Sequence, residues 1–316
     1  MARIGFNLSS EEHRPRDLVR YAAMAKDHGF SDLWVSDHFH PWTDRQGQSP
    51  FVWSVLGAMA QAAPGVRLGT GVTCPTIRIH PAIIAQAAAT TAAMAEGGFF
   101  LGVGSGENLN EHILGDRWPP ADVRLAMLEE AVEVMRLLWQ GGDQSHHGTH
   151  YTVENARLYT LPDEPPPVYV SAFGPKAVSV AARIGDGFVT TAPQADLIEQ
   201  YRSEGGKGPA LGAPKVCWAP DEASAKKLAF ELWPNMGLPG ELAQELATPA
   251  HFEQACEIVR EDDALESVPL GPDPEVHVAS LRKYVDAGFD ELYVQQIGSE
   301  QEAFLAFYRD EVLPRL

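Results

Sequence analysis

Residues 66–103, VRLGTGVTCPTIRIHPAIIAQAAATTAAMAEGGFFLGV, carry one full repeat of the pattern that decides the fold. The apolar run Val66 to Val72 reads as a strand, the alanine-rich stretch from Pro81 to Ala95 as a packed helix, and Phe99 to Val103 as the next strand. Proline suits a first helical turn, because the amide it lacks would have no partner there. The same device recurs at Pro15, Pro175 and Pro274. Upstream, Arg3 to Asn7 and Asp32 to Ser36 read as strands, with helices over Pro15 to His28 and Phe51 to Ala62. Downstream comes an amphipathic helix, Ala121 to Gln140, with Leu125, Leu128, Val132, Met135 and Leu138 at spacings of three and four. Strands follow at Val168 to Ser171, Gly187 to Thr191, Lys215 to Ala219 and Glu291 to Gln295, between helices over Pro175 to Ile184, Asp196 to Glu204, Ala223 to Glu231, Pro249 to Arg260 and Pro274 to Ala287.

Strands beginning near Ile4, Leu33, Val66, Phe99, Val168, Gly187, Val216 and Leu292 predict a (β/α)8 barrel of the TIM type. No Gly/Ser linker divides the chain, so residues 1–316 are expected to form one domain. Such barrels use about 250 residues. The surplus of this 316-residue chain falls in Gly104 to Pro120, in a hairpin-like segment from Gly141 to Pro167, and in Asn235 to Pro272.

Lys plus Arg number 24 against 43 Asp plus Glu, a net charge of −19, which repels phosphate backbones and anionic lipid surfaces. Neither nucleic acid nor membrane is an expected partner. Cys74, Cys217 and Cys256 are scattered and lack a CxxC spacing, so neither a disulfide framework nor a zinc ribbon is indicated. The opening MARIGFNLSSEEHRPRD lacks the basic head and apolar stretch of a secretory signal, and a cytoplasmic location is expected.

Barrel enzymes build their sites at the C-terminal ends of the strands. The second strand runs into Ser36-Asp37-His38-Phe39-His40-Pro41-Trp42, an acid, two imidazoles and an indole. His38 and His40 have the spacing of a metal pair, but the later strand ends offer Ser171, Phe173, Thr190 and Thr191 rather than more ligands, so no metal is expected. A plainer reading makes one histidine structural and the other a solvated loop residue. The third strand ends in small and β-branched residues, Gly69 to Thr76, which let something flat approach the backbone. The fourth ends Gly102-Val103-Gly104-Ser105-Gly106-Glu107-Asn108, which lacks the full GxGxxG spacing and reads either as a polar, backbone-rich binding loop or as a tight turn. The fifth ends Ala172-Phe173-Gly174-Pro175, where free amides and a helix dipole converge as they do at phosphate sites, or where a helix merely starts.

Taken together, SerAspHisPhe-x-ProTrp at 36–42, GlyThr-x-Val-x-x-ProThr at 69–76, GlyValGly-x-GlyGlu-x-LeuAsnGlu at 102–111 and AspGlyPhe at 186–188 followed by Thr191 resemble the bacterial luciferase-like superfamily of flavin and deazaflavin barrels. Within it the sequence looks like the branch of coenzyme F420-dependent glucose-6-phosphate dehydrogenases. The resemblance implies that His38 removes the hydroxyl proton while hydride passes to the deazaflavin. It implies that Trp42 packs the reaction centre, that Glu107 faces the ring, and that Glu11 is a second carboxyl for proton handling. It assigns Asp37, Gly71, Val72, Thr73, Cys74, Ser105, Gly106, Asn108, Asn110, Ala172, Phe173, Gly174 and Thr191 to cofactor binding. A non-proline cis peptide is implied at Gly71-Val72, and the assembly implied is a homodimer.

Basic residues that clamp the substrate phosphate in the sugar-phosphate enzymes fall near Gln194, Ala243 and Glu266 here, and none of these is basic. An unpaired buried phosphate is strongly penalised, so the expected substrate is a neutral sugar or other alcohol, with Gln194 and Glu266 placed beside it. Lys176, Lys207, Lys215 and Arg260 read as solvated surface charges. The rivals to this F420-dependent dehydrogenase are an F420-dependent sugar-6-phosphate dehydrogenase, an FMN-dependent monooxygenase on the same barrel, and a cofactor-binding protein without turnover.

Overall fold

In the computed structural model, which describes residues 2–316, parallel strands β1 (Arg3–Leu8), β2 (Asp32–Val35), β3 (Arg67–Thr70) and β4 (Phe99–Val103) pair in chain order. A two-stranded antiparallel hairpin, β5 (Gln144–His147) with β6 (Thr152–Ala156), then departs from the sheet, as the segment 141–167 suggested. The sheet resumes with β7 (Val168–Ser171), β8 (Gly187–Thr190), β9 (Ala210–Gly212), β10 (Lys215–Val216) and β11 (Glu291–Gln296). Because β11 pairs with β1 and also with β9 and β10, the sheet closes on itself as the (β/α)8 barrel.

β9 and β10 are two pieces of the seventh barrel strand, interrupted at Ala213 and Pro214, and the strand starts at Ala210 rather than near Val216. Pro214 has no amide to donate, although its carbonyl still accepts from the Gln295 amide at 2.9 Å. That break hides the first half of the strand from a reading by apolar runs.

The helices include α1 (Pro15–Asp27), α2 (Val52–Ala62), α3 (Pro81–Met94), α4 (Asn108–Glu111), α5 (Ala121–Trp139), α6 (Pro175–Ile184) and α7 (Ala195–Ser203). After the seventh strand come α8 (Glu222–Leu232), α9 (Leu242–Glu245), α10 (Pro249–Cys256) and α11 (Glu261–Leu265), then α12 (Pro274–Asp286) and α13 (Gln301–Phe307). The helix expected over Pro249 to Arg260 therefore stops at Cys256. No helix among the described residues is long and apolar enough to cross a membrane.

Alternation along the strands separates two cores. Leu33, Val35, Leu101, Val168 and Val170 face the helices, while Trp34, Phe100, Tyr169, Leu211 and Tyr293 fill the barrel. Trp34 and Tyr293 stack at 4.4 Å. Beneath them Arg67 closes the floor, donating to Asp32 at 2.5 Å, to Tyr293 Oη at 2.7 Å and to Glu291. With the interior filled, chemistry is confined to the rim. A second apolar cluster joins the α8–α11 segment to that rim, where Trp42 packs beside Trp233, Cys217 and Leu265.

Candidate active site

Close approach of β3 and β4 shapes one wall of the rim. A Cβ on Gly102 would overlap the Thr70 carbonyl, and one on Gly104 would lie 3.0 Å from Val72, so these glycines serve strand packing. The Gly71-Val72 peptide is cis, and a Cβ on Gly71 would stand 2.6 Å from the Trp34 indole. Gly106 has φ +85°, and a Cβ there would lie 2.6 Å from Cys74 Sγ. Glu107 follows as the residue that caps α4, whose Asn110 Nδ2 donates to Glu107 Oε2 at 3.0 Å.

His38 lies between two carboxyl groups. Its Nδ1 is 3.6 Å from Glu11 Oε1 and 3.3 Å from the His40 carbonyl, and its Nε2 is 3.5 Å from Glu107 Oε2. This network favours the tautomer protonated at Nδ1, leaving Nε2 as the acceptor. Glu11 is buried and accepts from Ser9 Oγ at 2.7 Å and Ser36 Oγ at 2.8 Å. Burial alone raises the Glu11 pKa, but His38 and the two hydroxyls bring it below the usual glutamate range. Glu107 goes the other way, because burial outweighs His38 and the carboxylates Glu11 and Glu111 add to the rise. Trp42 meets the His38 ring edge-on at 5.0 Å and is backed by Phe252 at 5.1 Å.

His40 turns away from His38. Its Nδ1 contacts the Leu109 carbonyl at 2.8 Å, and its ring lies over His112 at 6.0 Å, so the strand spacing does not make the two histidines a pair. Asn110 Oδ1 accepts from the amides of Phe39 and His40 and ties the β2 and β4 loops together.

The Asp37 carboxylate is engaged on both oxygens, by Thr73 Oγ1 at 2.8 Å and by Arg78 Nη2 at 2.9 Å. Arg78, a buried residue that sequence reasoning missed, also donates its amide to Glu111 at 2.7 Å and places its Nε 3.5 Å from that carboxylate. Cys74 is buried against Thr76. Ser105 adjoins Gly106 on the loop, whereas Asn108 points outward and donates to the Glu245 carbonyl of α9. Ala172 is buried, Phe173 is half-exposed, and Gly174 caps α6 with no side chain on its first-turn amides. Thr191 accepts from Tyr284 through its carbonyl. Gln194 and Glu266, at the ends of α7 and α11, are exposed, and among the described residues neither pairs with the His38 cluster.

Lys215 is not the solvated charge that its sequence context suggested. Leu211 and Ala213 point into the barrel, and the alternation continues to Lys215 at the rim, while Val216 faces the helices. The ammonium lies 4.6 Å from the Trp233 ring centroid. Burial pulls its pKa down, with Glu11, Glu12 and Glu107 opposing that pull. Glu12, also missed, accepts from Trp233 Nε1 at 2.7 Å, Gln295 Nε2 at 3.2 Å and the Gly298 amide at 2.7 Å, which fixes the indole. Lys215 does end a barrel strand, so the strand-end rule identifies it once the strand is started at Ala210.

A separate surface cleft of about 900 Å³ lies between α5 and the β5–β6 hairpin, lined by Glu129, Glu130 and His146 among others. Glu130 there is occupied by His146 and by the amides of Thr149, His150 and Tyr151, which holds the hairpin rather than opening a site.

The family described as luciferase-like monooxygenase matches residues 1–291. An F420-dependent glucose-6-phosphate dehydrogenase of Beutenbergia cavernae is 36% identical over 100% of this chain and 98% of its own. That of Amycolatopsis mediterranei is 34% identical over 100% and 99%. Among solved structures, an F420-dependent secondary alcohol dehydrogenase in complex with an F420-acetone adduct superposes with a TM-score of 0.90 at 29% identity, covering 99% of this chain and 98% of the other.

Proposed function

This chain belongs to the luciferase-like monooxygenase family, and from that membership we infer that it is a coenzyme F420-dependent dehydrogenase acting on CH–OH groups. The observation that carries the reading is His38 held between Glu11 and Glu107, whose pKa values are driven apart. Such a split lets one site supply base and acid near neutral pH. The uncapped first turn of α6 suits an anionic tail. When bound, F420 supplies a deazaflavin ring that accepts hydride. His38 takes the hydroxyl proton at Nε2 as the substrate C–H bond breaks, giving a carbonyl product. Glu11 stabilises the imidazolium through Nδ1. Glu107, kept orientated by Asn110 and with its pKa raised by burial, faces the same space as the second group able to exchange a proton there. Trp42 and Phe252 exclude water from one side.

The favoured substrate is a neutral sugar or alcohol rather than a phosphate ester. None of Gln194, Ala243 and Glu266 is basic, Arg78 is committed to Asp37 and Glu111, and the inward-facing Lys215 feels the negative field of Glu11, Glu12 and Glu107. A phosphate dianion there meets repulsion. The names of the relatives favour the second reading, a sugar-6-phosphate dehydrogenase. Measuring a free sugar and its 6-phosphate in one buffer, by loss of deazaflavin absorbance, separates the two. The expected kcat/KM ratio is at least about tenfold, ~1.4 kcal/mol, in favour of the free sugar; a preference for the ester establishes the second reading instead. Tight FMN binding without F420 uptake overturns the choice of cofactor.

A further inference from the structure

One inward-facing charge, unlike Arg67 and Arg78, has no carboxylate partner. Lys215 stands on the seventh barrel strand at the rim, its ammonium over the Trp233 face, and Trp233 is itself fixed by the Glu12 carboxylate. Among the described residues the Lys215 ammonium makes no hydrogen bond and has no carboxylate within 4.0 Å. Leu211, Ala213 and Lys215 share the inner side of the seventh strand, so the ammonium stands on the His38 side of the rim, where Glu11 and Glu107, the carboxyls that flank His38, face the same mouth. Trp42, edge-on to His38, shares the apolar cluster of Trp233.

An ammonium has three donors and no acceptor capacity. A one-hydroxyl alcohol whose oxygen is bound by His38 leaves those donors without acceptors. A polyol brings additional oxygens for the ammonium, hydroxyl protons for the neighbouring carboxylates, and C–H faces for the two indoles. We propose that Lys215 is a specificity-determining residue that binds a second hydroxyl oxygen of a polyhydroxylated substrate and so selects sugars over simple secondary alcohols. This deepens the dehydrogenase reading and rests on it for the identity of the reacting hydroxyl. Glu12 and Trp233 are positioning residues in this scheme, since Glu12 fixes the indole on which the ammonium rests and neither need touch the substrate.

The test compares the F420-loaded wild type with Lys215→Met and Lys215→Arg. Kinetics are recorded on glucose and 2-propanol, and glucose binding is measured by calorimetry. An F420 affinity matching wild type, read from deazaflavin fluorescence, establishes that each variant is folded. Lys215→Met is expected to weaken glucose binding at least tenfold, to raise KM for glucose more than it lowers kcat, and to reduce the glucose-to-2-propanol ratio of kcat/KM at least tenfold. Lys215→Arg is expected to recover part of that ratio. An equal loss on both substrates, or unchanged glucose binding, overturns the proposal. A wild type that binds no glucose but oxidises 2-propanol overturns it and leaves the dehydrogenase reading intact. A wild type that binds glucose through Lys215 yet oxidises no alcohol overturns that reading and keeps the proposal.

Discussion

Removing the His38 imidazole takes away the group that both Glu11 and Glu107 face. His38→Ala is therefore expected to lower turnover by about two to four powers of ten while F420 still binds, measured by stopped-flow absorbance and by fluorescence titration. Unchanged turnover moves the base to Glu107, since His40 is turned away. The two carboxyls have opposite linkage to stability. Glu11, with its pKa lowered in the folded protein, adds stability above the ordinary glutamate range and loses it as pH falls through the folded value. Glu107, with its pKa raised, binds its proton more tightly folded than unfolded, so stability declines as pH rises from the ordinary range through the folded value. Between about pH 5 and about pH 7 the melting temperature is thus expected to fall less with rising pH in Glu107→Gln than in wild type, and between about pH 3 and about pH 5 the deficit of Glu11→Gln is expected to grow with rising pH. The same sign of change in both variants contradicts this assignment. His38, Trp42 and Glu107 were legible because each follows an apolar run in a barrel pattern. Arg78 and Glu12 were not, since their partners Asp37, Glu111 and Trp233 lie 33 to 221 positions away and only folding joins them.

At the level of elements, β3 and β4 approach so closely that only glycine fits at 102. Gly102→Ala sets a methyl against the Thr70 carbonyl and is expected to destabilise by about 1–3 kcal/mol, seen as a lower melting temperature together with weaker F420 binding. A variant as stable as wild type contradicts the steric account. The run Gly102-Val103-Gly104 offered a binding loop or a tight turn as readings, and sterics between two strands was a third that local sequence does not express. Helix periodicity located most of the α-helices to within a few residues, whereas the seventh strand was misplaced because Pro214 interrupts its ladder. The late region held few anchors for the same physical reason that α9 to α11 are short: it packs as a small separate cluster and has no long amphipathic face.

For the whole molecule, we propose a homodimer. Ile83 and Met94 on α3 lie eleven residues apart, near one helical face, and both are exposed, as is Phe51 at the start of the neighbouring α2. Light scattering at micromolar concentration is expected to give twice the 34.4 kDa of one chain, and charged substitution of Ile83 to favour the monomer. A monomeric wild type contradicts this. The barrel itself was legible from eight alternating units, but the closure of first strand on last was an inference from fold type and not from any residue.

That closure has a consequence for synthesis. β11 is hydrogen-bonded to β1 on one side and to β9 and β10 on the other, and its Glu291 accepts from Arg67 on the floor. While the ribosome still holds the last strand, the nascent sheet carries two bare parallel edges, and an arginine destined for the interior lacks one of its carboxylates. A sheet formed from β1 to β9 alone is thus open-sided, and it closes only when β11 pairs with both edges. Shielding of those two edges is therefore needed until β11 pairs, and no longer once it has.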